Sequence, residues 1–172
     1  MEFLEKDLEQ IIFEASQEEL VNKGLCLTGK KFRQLKIGGY GIADLVYIER
    51  PHFNPYSREM MKGTISVVEL KQNKITISAF LQAVRYVRGI QRFLEINRLN
   101  LYDCFNFEIV LIGSKIDLDS SVVFLPDVFQ NDSEGFMYES SKTRISMYKY
   151  EMNLNGLEFN DVCGYVQRNE KL

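Results

Sequence analysis

Residues 107–116, FEIVLIGSKI, form a near-continuous apolar run, the pattern of a buried strand. A long helical pattern precedes it, ITISAFLQAVRYVRGIQRFLEINR (75–98), with Thr76 or Ser78 placed to cap its start. Upstream lie three strand patterns, FRQLKI (32–37), IADLVYIE (42–49) and TISVVELK (64–71), the first two joined by a tight GGYG turn (38–41). Ahead of these, EFLEKDLEQIIFEA (2–15) sets Leu4, Leu8, Ile11, Ile12 and Ala15 on one helical face, with Glu5 and Glu9 one turn apart beside it. Residues 17–29 read as a short helix and a turn. The order helix, three strands, helix, strand predicts an α/β fold with helices flanking a central sheet.

The remaining segments are less regular. RPHFNPYSREMMKG (50–63) carries two prolines and a closing glycine and reads as a flexible loop insertion. SVVFLPDVF (121–129) suits a strand or a short helix, ISMYKYEM (145–152) alternates like a strand, NLNG (153–156) is a turn, and 157–167 has no clear period. With 172 residues the chain is long enough for one domain with a sizeable core. We therefore expect a single domain over 1–172, a core at about 2–116, and a C-terminal extension over 117–172 that adds strands or a dimer surface.

No apolar run approaches the ~20 residues of a membrane helix, and the acidic MEFLEKDLEQ start does not resemble a signal peptide. Cys26, Cys104 and Cys163 form no CxxC pair. They suit a reducing cytoplasm better than a disulfide framework or a zinc site. The net charge of −3 hides a segregation. Asn22–Ala43 and Lys71–Arg92 contain no acid and carry ten of the 21 bases, leaving 11 bases against 24 acids elsewhere. Such a distribution can steer a polyanion to one face; a solvated surface with segregated charge is the plainer alternative.

The chemistry concentrates in two strands. Alternation puts Val67, Glu69 and Lys71 on one face of the third strand. In the second strand, Asp44 interrupts an apolar run. Burying a carboxylate costs several kcal/mol unless it is paired or bound to metal, roughly as for other buried ions. If these strands pair as an antiparallel hairpin, Asp44 and Glu69 meet. Two carboxylates and a lysine make a plausible Mg²⁺ site, since Mg²⁺ takes oxygen ligands, often one or two carboxylates plus substrate phosphate. Glu5 is placed to supply a further oxygen. Read alone, E-x-K is more often a surface ion pair.

On the long helix, Phe80, Val84, Val87, Ile90 and Leu94 form the expected core stripe. Gln82, Tyr86, Gly89 and Phe93 form a second stripe, and Arg85, Arg88 and Arg92 a third. The arginines, with Lys74, are candidates for phosphate contacts, or else simply a solvated basic edge.

With those residues in place, the sequence resembles the PD-(D/E)XK nuclease superfamily, whose fold is restriction-endonuclease-like with an αβββαβ core. The matching pieces are Asp44 in GYGIADLV, Glu69 and Lys71 in VVELK, and Gln82 with Tyr86 in QAVRY, similar to the QxxxY motif of RecB-type nucleases. Glu5 in LEKDLEQII looks like the helix-one glutamate. The layout is most similar to the NucS-type endonuclease catalytic domain over about 2–116. Ala43 stands where many members carry a proline, and the DNA-recognition domain of full-length NucS-type enzymes is absent.

The resemblance implies Mg²⁺- or Mn²⁺-dependent hydrolysis of DNA. Asp44, Glu69 and the Leu70 carbonyl would be ligands, Lys71 would assist water attack, Glu5 would be an accessory ligand, and Gln82 and Tyr86 would position DNA or brace the site. Arg50, His52, Tyr56 and Arg58 of the insertion would reach over the substrate; His52 would be a proton shuttle or simply a loop histidine. The alternatives are a catalytically inactive nuclease-fold subunit that binds DNA or another partner, and an interaction protein unrelated to nucleic acid. A homodimer or a larger nuclease complex would suit double-strand cleavage.

Overall fold

The computed structural model describes residues 4–97, 102–117, 119, 121–125, 143–154 and 156–162. A six-stranded mixed sheet forms the centre of the α/β architecture. Its strands are β1 (Lys30–Lys36), β2 (Ile42–Glu49), β5 (Gly63–Ile75), β6 (Phe105–Ile116), β7 (Thr143–Asn153) and β8 (Gly156–Asp161), adjacent in that order. β1, β2 and β5 pair antiparallel, β5, β6 and β7 parallel, and β7 and β8 antiparallel. The β5–β6 crossover is made by α3 (Ile77–Ile96), since parallel neighbours need a long connection.

Each face of the sheet has its own core. On one, Val46, Val67, Ile109 and Leu111 pack with Ala83, Tyr86, Val87 and Leu94 of α3. On the other, Leu45, Val68, Leu70 and Val110 pack with Leu8 and Ile12 of α1 (Glu5–Glu14) and Leu20 of α2 (Gln17–Asn22). Alternation along β5 explains the division. α1 starts where the Asp7 carboxylate accepts the Leu4 N–H at 3.3 Å. α2 starts at a capping box, with Glu19 N–H donating to the Ser16 hydroxyl at 3.2 Å and Ser16 N–H to the Glu19 carboxylate at 2.6 Å.

Residues 24–29 form a strap across the α1 side of the sheet. Lys23 O accepts from Phe159 N of β8 at 2.8 Å. At the far end Thr28 Oγ1 donates to Glu49 of β2 at 3.1 Å. Leu25 and Leu27 are buried beneath the strap.

Several sequence expectations change. The insertion at 50–63 contains an antiparallel ribbon, β3 (His52–Asn54) with β4 (Glu59–Met61). Its turn is fixed by Asn54 Oδ1, which accepts from Tyr56 N at 2.9 Å. Thr76 occupies the N-cap of α3, but its side chain makes no capping bond, and Ser78 lies inside the helix. The core-facing side of α3 keeps four of the five expected residues, with Val87 and Leu94 buried and Phe80 and Ile90 packed against the core, but it is wider than that stripe. Ala79, Ala83, Tyr86, Val87, Gly89 and Leu94 are buried, whereas Val84 is 37% exposed. Small residues explain this: a Cβ on Gly89 would lie 2.6 Å from Ile37 Cγ2 and 2.7 Å from Tyr40 Cγ. The helix therefore lies close against the turn that leads into β2.

Residues 121–124 form a short 3-10 turn; 126–129 of the predicted 121–129 element lie outside the described residues. The strand expected at 145–152 is β7, and the unassigned stretch that follows begins with β8. Among the described residues, no helix is long and apolar enough to cross a membrane.

Candidate functional site

Asp44 and Glu69 lie where β2 and β5 part. The β2–β5 ladder runs from Glu49↔Thr64 to Leu45↔Val68 and then stops. Continued by one step, it would set Asp44 opposite Glu69. Instead the Asp44 carboxylate enters the gap and accepts the Leu70 N–H at 2.9 Å. The side chain satisfies a backbone donor that the ladder would otherwise have paired. Glu69 follows Val67 on the α3 face and is 1% exposed. The strands pair antiparallel as expected, and the Asp44 charge acts on Glu69.

Lys71 completes the group. Its ammonium donates to Glu69 Oε1 at 2.7 Å and lies 3.9 Å from Glu5 Oε1. Glu69 Oε2 is buried and has no hydrogen-bond partner among the described residues. Burial first, and the neighbouring Asp44 charge second, push the Glu69 carboxyl up to about 7, against the pull of Lys71. Burial likewise raises Asp44 above the usual carboxylate range, opposed by the Leu70 N–H. For Lys71, burial acts to lower the pKa, but the hydrogen bond and charge of Glu69 outweigh it, so the ammonium is held above an ordinary lysine.

Glu5 reaches the site from the start of α1, and its Oε2 accepts from Gln72 N at 3.4 Å. The helix is fixed there by Glu9, one turn on and 5% exposed, which pairs with Arg33 and accepts from Gln34 of β1. Gln34 adopts φ 50° between the residues opposite Leu45 and Ala43. Glu9 is thus an anchor for Glu5, a role its position beside the apolar stripe did not reveal.

Gln82 and Tyr86 act together as a brace. Gln82 Nε2 donates to Tyr86 Oη at 2.8 Å, and Tyr86 is buried at 2% exposure. A Cβ on Gly41 would come 2.8 Å from Tyr86 Cε1 and 3.4 Å from its hydroxyl. The φ of +121° at Gly41 also favours glycine. The tyrosine therefore supports the turn three residues before Asp44. Of the two roles implied for this pair, the geometry suits bracing; a buried phenol does not reach a duplex.

Two site residues escaped the sequence reading. β5 bulges between Lys71 and Lys74. The bulge is held by Ser114 Oγ, which donates to Gln72 O at 3.0 Å, and by Tyr150 Oη, which donates to the same carbonyl at 2.6 Å. Ser114 and Tyr150 come from β6 and β7, so only the sheet order brings them beside Lys71.

The basic candidates are dispersed in use. Lys74 pairs with Asp117 at 2.5 Å. Arg88 and Arg92 both bind Glu95, at 3.2 and 3.1 Å, and Arg85 lies 5.6 Å from the Tyr86 ring centroid. All three arginines remain on the exposed edge of α3. The ribbon carrying His52, Tyr56 and Arg58, with Arg50 before it, starts at the other end of β2 from Asp44. It leaves from the Glu49 and Gly63 ends of its strands, about 17 Å along β2 from Asp44.

Asp44 and Glu69 offer hard oxygen donors, and the unpartnered buried Oε2 is an atom that a divalent cation would satisfy. The donor set fits Mg²⁺ or Mn²⁺, although among the described residues no three His, Cys, Asp or Glu side chains converge as a ready cage. Comparisons with protein-family models, curated proteins and solved structures find no match.

Proposed function

We propose that the protein is a metal-dependent nuclease that hydrolyses DNA phosphodiester bonds on a restriction-endonuclease-like core. The observation that carries this reading is Glu69 Oε2, a buried carboxylate oxygen beside Asp44 and Lys71 without a hydrogen-bond partner among the described residues. A purely structural strand has little reason to keep such an atom, because leaving it unsatisfied costs roughly 1–3 kcal/mol or more. Asp44, Glu69 and the Leu70 carbonyl would hold Mg²⁺ or Mn²⁺, which when bound supplies a Lewis acid at the scissile phosphate.

Lys71 is the electrostatic catalyst in this reading. Fixed by Glu69 and near Glu5, its ammonium orients the attacking water and stabilises the charge that grows on the phosphate. Raised proton affinity suits a charged donor rather than a neutral base. The Ser114–Tyr150 clamp holds the bulge behind Lys71, and Gln82–Tyr86 holds the turn ahead of Asp44. The exposed arginines of α3, together with Lys74, would bind phosphates without reading sequence.

The test is cleavage of circular, linear and single-stranded DNA with Mn²⁺ or Mg²⁺, comparing the wild type with Lys71→Ala. Activity abolished by the substitution and by chelator supports the proposal. No activity on any DNA, with metal still bound, overturns it in favour of an inactive nuclease-fold subunit.

A further inference from the structure

The ribbon of β3 and β4 carries more exposed apolar surface than its folding explains. Phe53 and Met60 stand directly opposite each other in register, so they share one face, and they are 55% and 65% exposed. Met61 is exposed on the other face, and Tyr56 at the tip is 95% exposed. Among the described residues none of the four belongs to either core. A two-stranded ribbon is marginal by itself in water, and side chains that bury so little do not make it less so. Exposed apolar groups gathered in one place mark a contact surface.

The charge around them is mainly of one sign. Residues 50–62 hold Arg50, Arg58 and Lys62 against one acid, Glu59, in a chain whose net charge is −3. None of these three bases makes an ion pair among the described residues. Lys74, Arg88 and Arg92, by contrast, are paired within the protein. Arg50 and Lys62 flank the two legs of the ribbon at its base, and Arg58 closes the tip turn at a φ of 57°. Asn54 Oδ1 holds that turn through Tyr56 N. Cations thus stand around an apolar pair on a narrow, exposed element.

Double-stranded DNA matches this arrangement. Its major groove, about 12 Å wide, admits a two-stranded ribbon. Phosphates on the two walls meet the bases, and apolar side chains meet thymine methyls or enter between base steps. A lipid surface matches less well, because Arg58 sits near Tyr56 at the tip, where insertion would carry its guanidinium deepest. The ribbon starts about 17 Å along β2 from Asp44. That is about half a helical turn of duplex, so one duplex has the length to meet both.

We propose that the 50–62 ribbon is a second DNA-contacting surface, which grips a duplex with Phe53, Tyr56 and Met60 set between Arg50, Arg58 and Lys62. The choice of DNA as occupant rests on the nuclease reading, and the experiment separates the two.

The full chain is titrated into a fluorescently labelled duplex oligonucleotide in EDTA, with anisotropy read at several salt concentrations. Wild type is compared with Phe53→Ala and with Arg58→Gly, which suits the left-handed backbone there. Both variants should keep the wild-type Tm, since neither side chain enters a core. Phe53→Ala should weaken binding roughly fivefold or more, with the salt dependence unchanged. Arg58→Gly should also weaken it and lower the slope of log affinity against log salt by about 1, the loss of one phosphate contact. Wild-type affinity in either folded variant overturns the inference, as does absence of duplex binding by the wild type. Ribbon-dependent binding to vesicles of phosphatidylserine and phosphatidylcholine, with none to duplex, overturns it in favour of a lipid surface. Cleavage of the same duplex is followed separately in Mg²⁺. Cleavage with ribbon-independent binding overturns this inference and leaves the nuclease reading standing. Ribbon-dependent binding without cleavage supports the inference and removes the nuclease reading.

Discussion

The backbone N–H of Leu70 donates to the carboxylate of Asp44 at 2.9 Å, with Asp44 one residue and Leu70 two residues beyond the last rung of the β2–β5 ladder. A side chain from one strand thereby replaces the backbone of that strand as partner to the other. Asp44 and Glu69 become neighbours through this substitution, and the carbonyl of Leu70 belongs to the same peptide chain segment.

Replacing Asp44 should therefore separate two effects. Asn at this position still accepts the Leu70 N–H, whereas Ala leaves that donor unpaired. Asp44→Asn should be more stable than Asp44→Ala by about 1–3 kcal/mol in metal-free urea unfolding at neutral pH. Neither variant should gain stability from Mg²⁺ or Mn²⁺, while the wild type should. A metal-dependent rise in Tm equal to wild type in either variant would exclude Asp44 as a ligand.

The raised carboxyl of Glu69, at about 7, predicts a pH dependence of stability. Between the ordinary value of 4.5 and about 7 the folded protein holds a proton that the unfolded chain has released. Metal-free stability should accordingly be greatest below about 4.5 as far as this group is concerned, and fall as pH rises through about 7. The loss is on the order of 3 kcal/mol for a group this buried. Glu69→Gln should flatten the curve over that window in denaturation monitored at several pH values.

Lys71 should matter to turnover more than to metal. Lys71→Met should lower kcat for DNA cleavage by roughly 10²-fold or more, with the metal-induced shift in Tm retained. A variant that cleaves at the wild-type rate would remove Lys71 from the mechanism.

Packing at the turn before Asp44 offers a contrast between two glycines. A Cβ on Gly89 would press on Ile37 and Tyr40, whereas one on Gly39 would meet nothing within 4 Å. Gly89→Ala should destabilise by about 1–3 kcal/mol and weaken metal binding by displacing the turn. Gly39→Ala should stay close to wild type in both measurements.

The parts of the site that were readable in the sequence are those with an energetic oddity in a short window. Asp44 within IADLV and Glu69 within VVELK are charges in apolar strands, and each lies in the gap where its strand parts from the other. The face of α3 was read less well, because Ala79, Ala83 and Gly89 carry little hydrophobic signal yet permit the closest approach. The 52–61 ribbon was missed because its three-residue strands are too short for any period to register. Ser114 and Tyr150 become neighbours only through sheet order. Nothing local in the chain announces that β5, β6 and β7 lie side by side.

The strap also bears on the order in which the chain acquires its structure. Lys23 Nζ donates to Leu157 O at 3.2 Å, a contact between residues 134 positions apart. On the ribosome, the segment that carries Leu25 and Leu27 emerges early, but its anchor on β8 is among the last described elements to be synthesised. Contacts of such long separation form late and slow the approach to the native state. Until β8 arrives, the leucines of the strap have only part of their shelter, and the nascent chain presents an adhesive surface that the finished protein conceals.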